Sequence, residues 1–192
     1  MTAPDTAPTG AASTEPLFRR VLAGSANLTF GLVGERLGHS HSPRIHELLG
    51  SVPYERVEVP RDEVGEFFAA RLYRGLNVTI PYKCDAARAA DVRSEAVERL
   101  GNANTLVVRE DGTLFADNTD YHGFSRQLDL IHANVAGQVC LVLGDGGAAA
   151  TVRAVLADRG ASLVVSASRK GELTFAALAG DAAAASPSQI AQ

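Results

Sequence analysis

Cysteine, excess positive charge and long apolar runs are all scarce in this 192-residue chain, and each scarcity closes a class of function. The two cysteines, Cys84 and Cys140, form no C-x-x-C and stand at no metal-ligand spacing, so neither a disulfide framework nor a zinc site is expected. Both read as reduced thiols, with Cys140 a small core residue. Lys and Arg total 18 against 22 Asp and Glu, a net charge of −4, so there is no basic footprint for nucleic acid. No apolar run approaches the ~20 residues that span a bilayer. The N-terminus lacks the basic and apolar regions of a secretory signal. His39, His41, His46, His122 and His132 match no ligand spacing, so neither a metal nor a catalytic histidine is expected. The expected protein is cytoplasmic, binds no nucleic acid and no membrane, and is a monomer or a homodimer.

What is present is an ordinary globular composition, 46% hydrophobic and 21% charged, long enough for one large or two small domains. Residues 1–26 are rich in Ala, Thr, Pro and Ser and are expected to form a flexible tail. From there strands and helices alternate. Thr29–Gly34 reads as a buried strand. Ser42 then caps a helix with Pro43 at its first position, and Gly50 ends it. Tyr54–Val59 alternates as a strand, and Asp62 caps a helix carrying Val64, Phe67, Phe68 and Leu72 on one face. Gly75–Thr79 is a third strand. Two helical stretches follow, around Ala86–Ala90 and Ser94–Leu100. Asn104–Arg109 and Leu114–Ala116 form a hairpin about Asp111-Gly112, and a helix over Asp120–His132 leaves the domain. A βαβ unit begins near Gly137, with Val139–Leu143 a buried strand, a glycine-rich turn, a helix over Ala149–Arg159 and a strand over Ala161–Ala167. Phe175–Gln192 carries no strand signal. The fold class is therefore α/β: a mainly parallel first domain over 27–128, then an incomplete Rossmann-type unit over 137–192.

The chemistry concentrates in a few short segments. Gly75-Leu76-Asn77-Val78-Thr79-Ile80-Pro81-Tyr82-Lys83 is a short apolar strand ended by a proline, which has no N–H for the ladder. Thr79 and Lys83 thus fall at a strand's C-terminal end, where open α/β sheets hold ligands. A lysine there is placed for acid/base use, and Asp120 on a later segment is placed to orient it. The plainer reading is a solvated lysine after a turn. Ser40 and Ser42 offer two hydroxyls before a helix, as a cap or as ligands. Gly144-Asp145-Gly146-Gly147-Ala148, between a strand and a helix, suits a phosphate cradle or a tight βα connection. After the next strand, Ser168-Arg169-Lys170 stands where an acidic residue would hold the ribose hydroxyls of NAD. Two cations there suit a 2′-phosphate, or form a basic loop.

Taken in order, Gly38-His39-Ser40-His41-Ser42-Pro43, Asn77-Val78-Thr79-x-Pro81-x-Lys83, Asn104-Thr105-Leu106, Asp117-Asn118-Thr119-Asp120 and Gly144–Ala148 resemble the shikimate dehydrogenase family, from about Thr29 to about Lys170. The resemblance implies reversible reduction of 3-dehydroshikimate to shikimate with NADP. It implies Lys83 and Asp120 as the catalytic pair, with Ser40 and Ser42 on the substrate carboxylate. Thr79 and Asn104 join them on the substrate. It implies Gly144, Gly146, Gly147, Ala148, Ser168 and Arg169 around the cofactor; Lys170 departs from the family's pattern and is expected there as the second cation. Family members continue further, with a glutamine and a tyrosine near the substrate and a terminal helix that packs back on the first domain. None of these has a match here, so the chain is expected to be C-terminally truncated. The alternative expectation is a weak or inactive remnant acting at most as a shikimate- or quinate-binding module.

Overall fold

The computed structural model of the chain describes residues 14–50 and 52–181. The first 13 residues of the expected tail, and Ala182–Gln192, lie outside the described residues. The rest of that expected tail is corrected. Leu17–Leu22 forms a helix (α1), and its Phe18 and Val21 are 1% and 2% exposed. Apolar residues at 17, 18, 21 and 22 are the i, i+1, i+4 and i+5 spacing of a helical stripe, which the Ala/Pro-rich flank obscures.

The first sheet follows from β1 (Phe30–Gly34), β2 (Tyr54–Glu58), β3 (Gly75–Val78), β4 (Val92–Arg93), β5 (Thr105–Val108) and β6 (Leu114–Asp117) in the order β2-β1-β3-β5-β6-β4. β1 pairs parallel with β2 and β3, and β4 with β6, while β5 runs antiparallel to both its neighbours. The directions have one consequence for chemistry. The C-terminal ends of β1, β3 and β6 and the N-terminal end of β5 all meet at one edge of the sheet.

Helices α2 (Ser42–Leu48), α3 (Val64–Ala70), α4 (Lys83–Ala89) and α5 (Glu95–Leu100) connect these strands. Val57, Val59, Leu76, Val78, Leu106 and Leu114 pack with Phe18, Phe67, Phe68 and Tyr82 in one core. The Tyr82 hydroxyl donates to Val59 O at 2.6 Å, so the buried ring keeps a polar partner. Two expected caps shift. α2 starts at Ser42 with His41 as its N-cap, and α3 has Glu63 rather than Asp62 at that place. Ser42 is spoken for by Ser40, whose hydroxyl accepts from Ser42 N at 3.3 Å.

α6 (Thr119–Leu130) leads to a second, parallel sheet of β7 (Val139–Leu143), β8 (Leu163–Ser168) and β9 (Leu173–Thr174), with α7 (Gly147–Asp158) between the first two strands and α8 (Phe175–Asp181) last. β9 and α8 were not expected, because two paired residues and a short Ala-rich helix leave little periodic signal. β7 was expected to be a buried strand. Only Val142 is buried, and Val139, Leu141 and Leu143 are 51%, 50% and 69% exposed. Alternate residues face opposite sides, so α7 covers one face of β7 and the other is bare. Cys140 is partly buried against the second core, and Cys84 is exposed. Leu128 of α6 belongs to that second core, together with Val142, Ala149, Val155 and Leu156, so α6 is shared between the two units.

Candidate active site

Three strand ends build the centre. Lys83 opens α4, two residues after the cis Ile80–Pro81 bond. Asp120 is the second residue of α6, directly after β6. Asn104 immediately precedes β5, the strand between β3 and β6. The structure brings all three together. Lys83 Nζ donates to Asp120 Oδ2 at 2.5 Å, and Asn104 Nδ2 donates to Asp120 Oδ1 at 2.8 Å. Each carboxylate oxygen thus has a fixed donor. The Lys83 side chain is 17% exposed, sheltered yet open to a ligand.

Asn104 is itself held. Its Oδ1 accepts from Thr119 N at 2.9 Å and from Thr105 Oγ1 at 3.0 Å, and its backbone N–H donates to Asp117 O at 3.1 Å. Beneath it, buried Asn118 donates through Nδ2 to Asn102 Oδ1 at 2.6 Å. The sequence points to no role for Asn102 or Asn118, although Asn118 lies inside the Asp117–Asp120 motif. A buried amide pair joining two loops is a long-range contact with no periodic signal.

Thr79 lies beside Lys83's loop, its N–H on Val33 O at 2.9 Å and its carbonyl accepting from Tyr82 N at 2.9 Å. Ser40 and Ser42 follow β1 at the same sheet edge, and Ser40 Oγ donates to Ser42 Oγ at 3.2 Å. The two hydroxyls are therefore neighbours within hydrogen-bond reach. A further grouping was not anticipated. The Tyr54 hydroxyl donates to Asn77 Oδ1 at 2.7 Å, and the Tyr54 ring stacks on His46 at 3.8 Å. Burial pushes the Tyr54 hydroxyl up to about 12.

In the second unit, Gly144 has φ +127°, a conformation that favours glycine, and it turns the chain from β7 into α7. No side chain caps the helix at Gly146, and nothing lies within 4 Å of the position a Cβ would take on Gly144, Gly146 or Gly147. The turn is open, and the helix N-terminus behind it favours an anion. Asp145, Arg169 and Lys170 line one cleft of about 340 Å³. Ser168 is not in that lining. It is buried, its hydroxyl accepts from Lys170 N at 3.4 Å, and a Cβ on Gly171 would sit 2.8 Å from it. Ser168 thus shapes the loop that presents the two cations.

One cleft joins the two units. About 300 Å³ in volume, it lies between α6 and α7 with Asp120 and Thr119 on one wall and Ala148 and Thr151 on the other. Asp120 and Ala148, the residue after the glycine turn, therefore border common space. Among the described residues no group of His, Cys, Asp and Glu could hold a metal ion, and no helix is long and apolar enough to cross a membrane.

Comparison with known proteins finds one family repeatedly. The model of the shikimate dehydrogenase substrate binding domain matches residues 32–106, which include Ser40, Ser42, Thr79, Lys83 and Asn104. A shikimate dehydrogenase (NADP(+)) of Clostridium beijerinckii is 37% identical over 149 residues, 73% of this chain and 55% of that protein. A structure of shikimate 5-dehydrogenase from Thermus thermophilus, in complex with NADP(H) and shikimate, shares 32% identity at a TM-score of 0.66, covering 79% of this chain and 60% of that one. Quinate dehydrogenase from Corynebacterium glutamicum, in complex with NAD, shares 28% identity at a TM-score of 0.65, over 75% of this chain and 56% of that one. The chain spans about half the length of the curated relatives it matches, 55% for the Clostridium beijerinckii protein.

Proposed function

This chain belongs to the shikimate dehydrogenase family, and from that premise we propose that it carries the substrate site and acid–base pair of an NADP-dependent shikimate dehydrogenase. The observation that carries the reading is the Lys83 Nζ–Asp120 Oδ2 contact of 2.5 Å, with Asn104 Nδ2 on the other carboxylate oxygen. The substrate class is a cyclic hydroxy acid, shikimate in one direction and 3-dehydroshikimate in the other. Ser40 and Ser42 receive its carboxylate, since two neighbouring hydroxyls can each turn a proton to one anion, Ser40 giving up its bond to Ser42. Thr79 and Asn104 take ring hydroxyls.

In reduction the ketone carbon gains a hydride and its oxygen becomes an alkoxide. Lys83, protonated, gives that oxygen its proton; in oxidation the same amine takes the proton back. Asp120 orients Lys83 and balances its charge, and Asn104 keeps Asp120 from turning away. Positioned acid–base groups of this kind contribute roughly 10²- to 10⁴-fold. The open Gly144–Gly147 turn, the uncapped α7 and the Arg169–Lys170 pair fit a dinucleotide with a 2′-phosphate. The bound NADP supplies the hydride chemistry; this chain's residues hold its phosphates. The reading carries with it a cytoplasmic location and a monomer or homodimer.

A second reading is a module that binds the acid without turning it over. The bare face of β7 favours it, because a unit with an uncovered sheet face orders its cofactor turn weakly. The deciding experiment measures shikimate binding by calorimetry and shikimate-dependent NADP reduction on the same preparation. Binding with turnover that Lys83→Ala removes supports the enzyme. Binding without turnover supports the module, and no binding defeats both.

A further inference from the structure

We propose that Arg56 and Glu58, two residues apart on β2, are positioning residues that together clamp the loop carrying Ser40 and Ser42. The inference rests on the reading of that loop as the carboxylate receiver.

The clamp closes on Leu37. The Leu37 N–H donates to Glu58 Oε1 at 2.5 Å. The Leu37 carbonyl accepts from Arg56 Nη1 at 3.3 Å and from Ser40 N at 2.8 Å. Arg56 Nη1 also reaches Gly38 O at 3.2 Å. A carboxylate thus takes the donor of this residue and a guanidinium its acceptor, and the same carbonyl anchors Ser40. Residues 35–39 belong to no strand or helix, so β2 supplies by side chain the partners that a ladder would supply by backbone. Charge-assisted hydrogen bonds are roughly twice as strong as neutral ones, which suits them to fixing an irregular loop.

Packing completes the clamp. Leu37 is 1% exposed. A Cβ on Gly34 would fall 2.7 Å from Leu37 Cδ2 and 2.9 Å from Thr79 Cγ2. Leu37 and Thr79 therefore close over the bare backbone of Gly34 at the end of β1. One buried residue links β2, the serine loop and Thr79. Arg56 and Glu58 carry opposite charges and add no net charge beside the loop. They act through its position, not through a field on the substrate, so salt should weaken shikimate binding equally in the parent and in the Arg56→Ala/Glu58→Ala double variant, which is also neutral there.

The test uses the full 192-residue chain. Arg56→Ala and Glu58→Ala each speed amide hydrogen exchange of Leu37 and Ser40 at least about tenfold and weaken shikimate binding about tenfold. Exchange of Leu76 and Val78 in the neighbouring β3 stays at the parent rate. Glu58→Gln keeps an acceptor oxygen and recovers most of both effects, which a loss of charge alone would not allow. In a catalytically active preparation the variants raise KM and leave kcat within about twofold. Unchanged exchange at Leu37 and Ser40 in the Arg56→Ala/Glu58→Ala double variant overturns the clamp. Faster exchange with unchanged shikimate affinity overturns its link to the substrate. A parent chain that binds no shikimate overturns the carboxylate reading, while the exchange rates still decide whether the clamp exists.

Discussion

The two sheets of this molecule are built to different standards. The first has six strands and a core in which Phe67, Phe68, Tyr82, Leu76 and Leu106 are 2% exposed or less. The second has three strands, one of two residues, and the bare face of β7. Lys83, proposed to give the reacting oxygen its proton, and Asp120 and Asn104, proposed to hold it in place, all sit at strand ends of the first. The open turn and the two cations that would hold a cofactor belong to the second. Acid–base chemistry needs geometry held to a fraction of an ångström, and dense packing supplies it. Capture and release of a cofactor tolerate, and use, a unit of lower local stability. The catalytic and cofactor functions are therefore expected to respond to different mutations.

The largest expected effect tests that separation at its sharpest. Lys83→Ala should lower turnover roughly 10²- to 10⁴-fold while changing shikimate affinity by no more than about tenfold, about 1.4 kcal/mol. Steady-state rates and calorimetry on the same variant measure both. A variant retaining more than about a tenth of parent turnover would remove Lys83 from the role of proton donor.

Next come the cores. Phe68→Ala, at a fully buried site, should destabilise the first unit by about 3–5 kcal/mol. Leu156→Ala in the second should cost nearer about 2 kcal/mol, the low end for such a truncation, because the thin surroundings can collapse on the space. Denaturant unfolding followed separately in each unit compares them. Equal losses would mean the second core is as well packed as the first, and the contrast between the two units would fail.

Smaller again is the cofactor preference. Arg169→Ala should weaken NADP about tenfold, about 1.4 kcal/mol, and leave NAD near the parent value. High salt should do the same to the parent, because the discriminating contact is ionic. An NADP affinity untouched by the substitution would leave the Asp145–Arg169–Lys170 cleft without a nucleotide role.

What could be read from the sequence follows the range of the signals. The hairpin about Asp111-Gly112, the strand ended by Pro81 and the βαβ unit after Gly137 are local patterns, and the structure contains all three. The placement of Lys83, Asn104 and Asp120 at one sheet edge follows from strand directions that the hairpin and the helical connections dictate. The helix at Leu17–Leu22 was hidden by its neighbours' composition. The exposure of β7 was missed because an apolar strand looks the same whether one face or both are covered. The Asn102–Asn118 pair and the Arg56–Leu37–Glu58 clamp are tertiary hydrogen bonds, and no spacing rule foretells them.

The smallest effect concerns how the second unit is held to the first. Asp158 at the end of α7 accepts from both terminal nitrogens of Arg99 on α5, at 2.6 and 2.5 Å, and from the Tyr121 hydroxyl on α6 at 2.5 Å. Arg159 meets Asp129 at 2.6 Å. These groups are largely exposed, and pairs of that kind are individually weak. They are still directional. The Arg99 guanidinium first, and the Tyr121 hydroxyl second, hold the Asp158 carboxyl below the usual carboxylate range, and Arg159 does the same for Asp129. A carboxyl whose folded pKa is depressed contributes stability that is complete above its unfolded value, about 3.9 for Asp, and is lost as pH falls through the lower folded value. Acid should therefore loosen the junction of the two units from about pH 4 downward. Amide exchange in Val139–Leu143, corrected for its intrinsic rate, should accelerate relative to Leu76–Val78 between about pH 5 and about pH 3. Asp158→Asn should reproduce part of that acceleration at about pH 7, since the amide keeps an acceptor and loses the charge. Parallel loss of protection in both strands would show that the two units open as one.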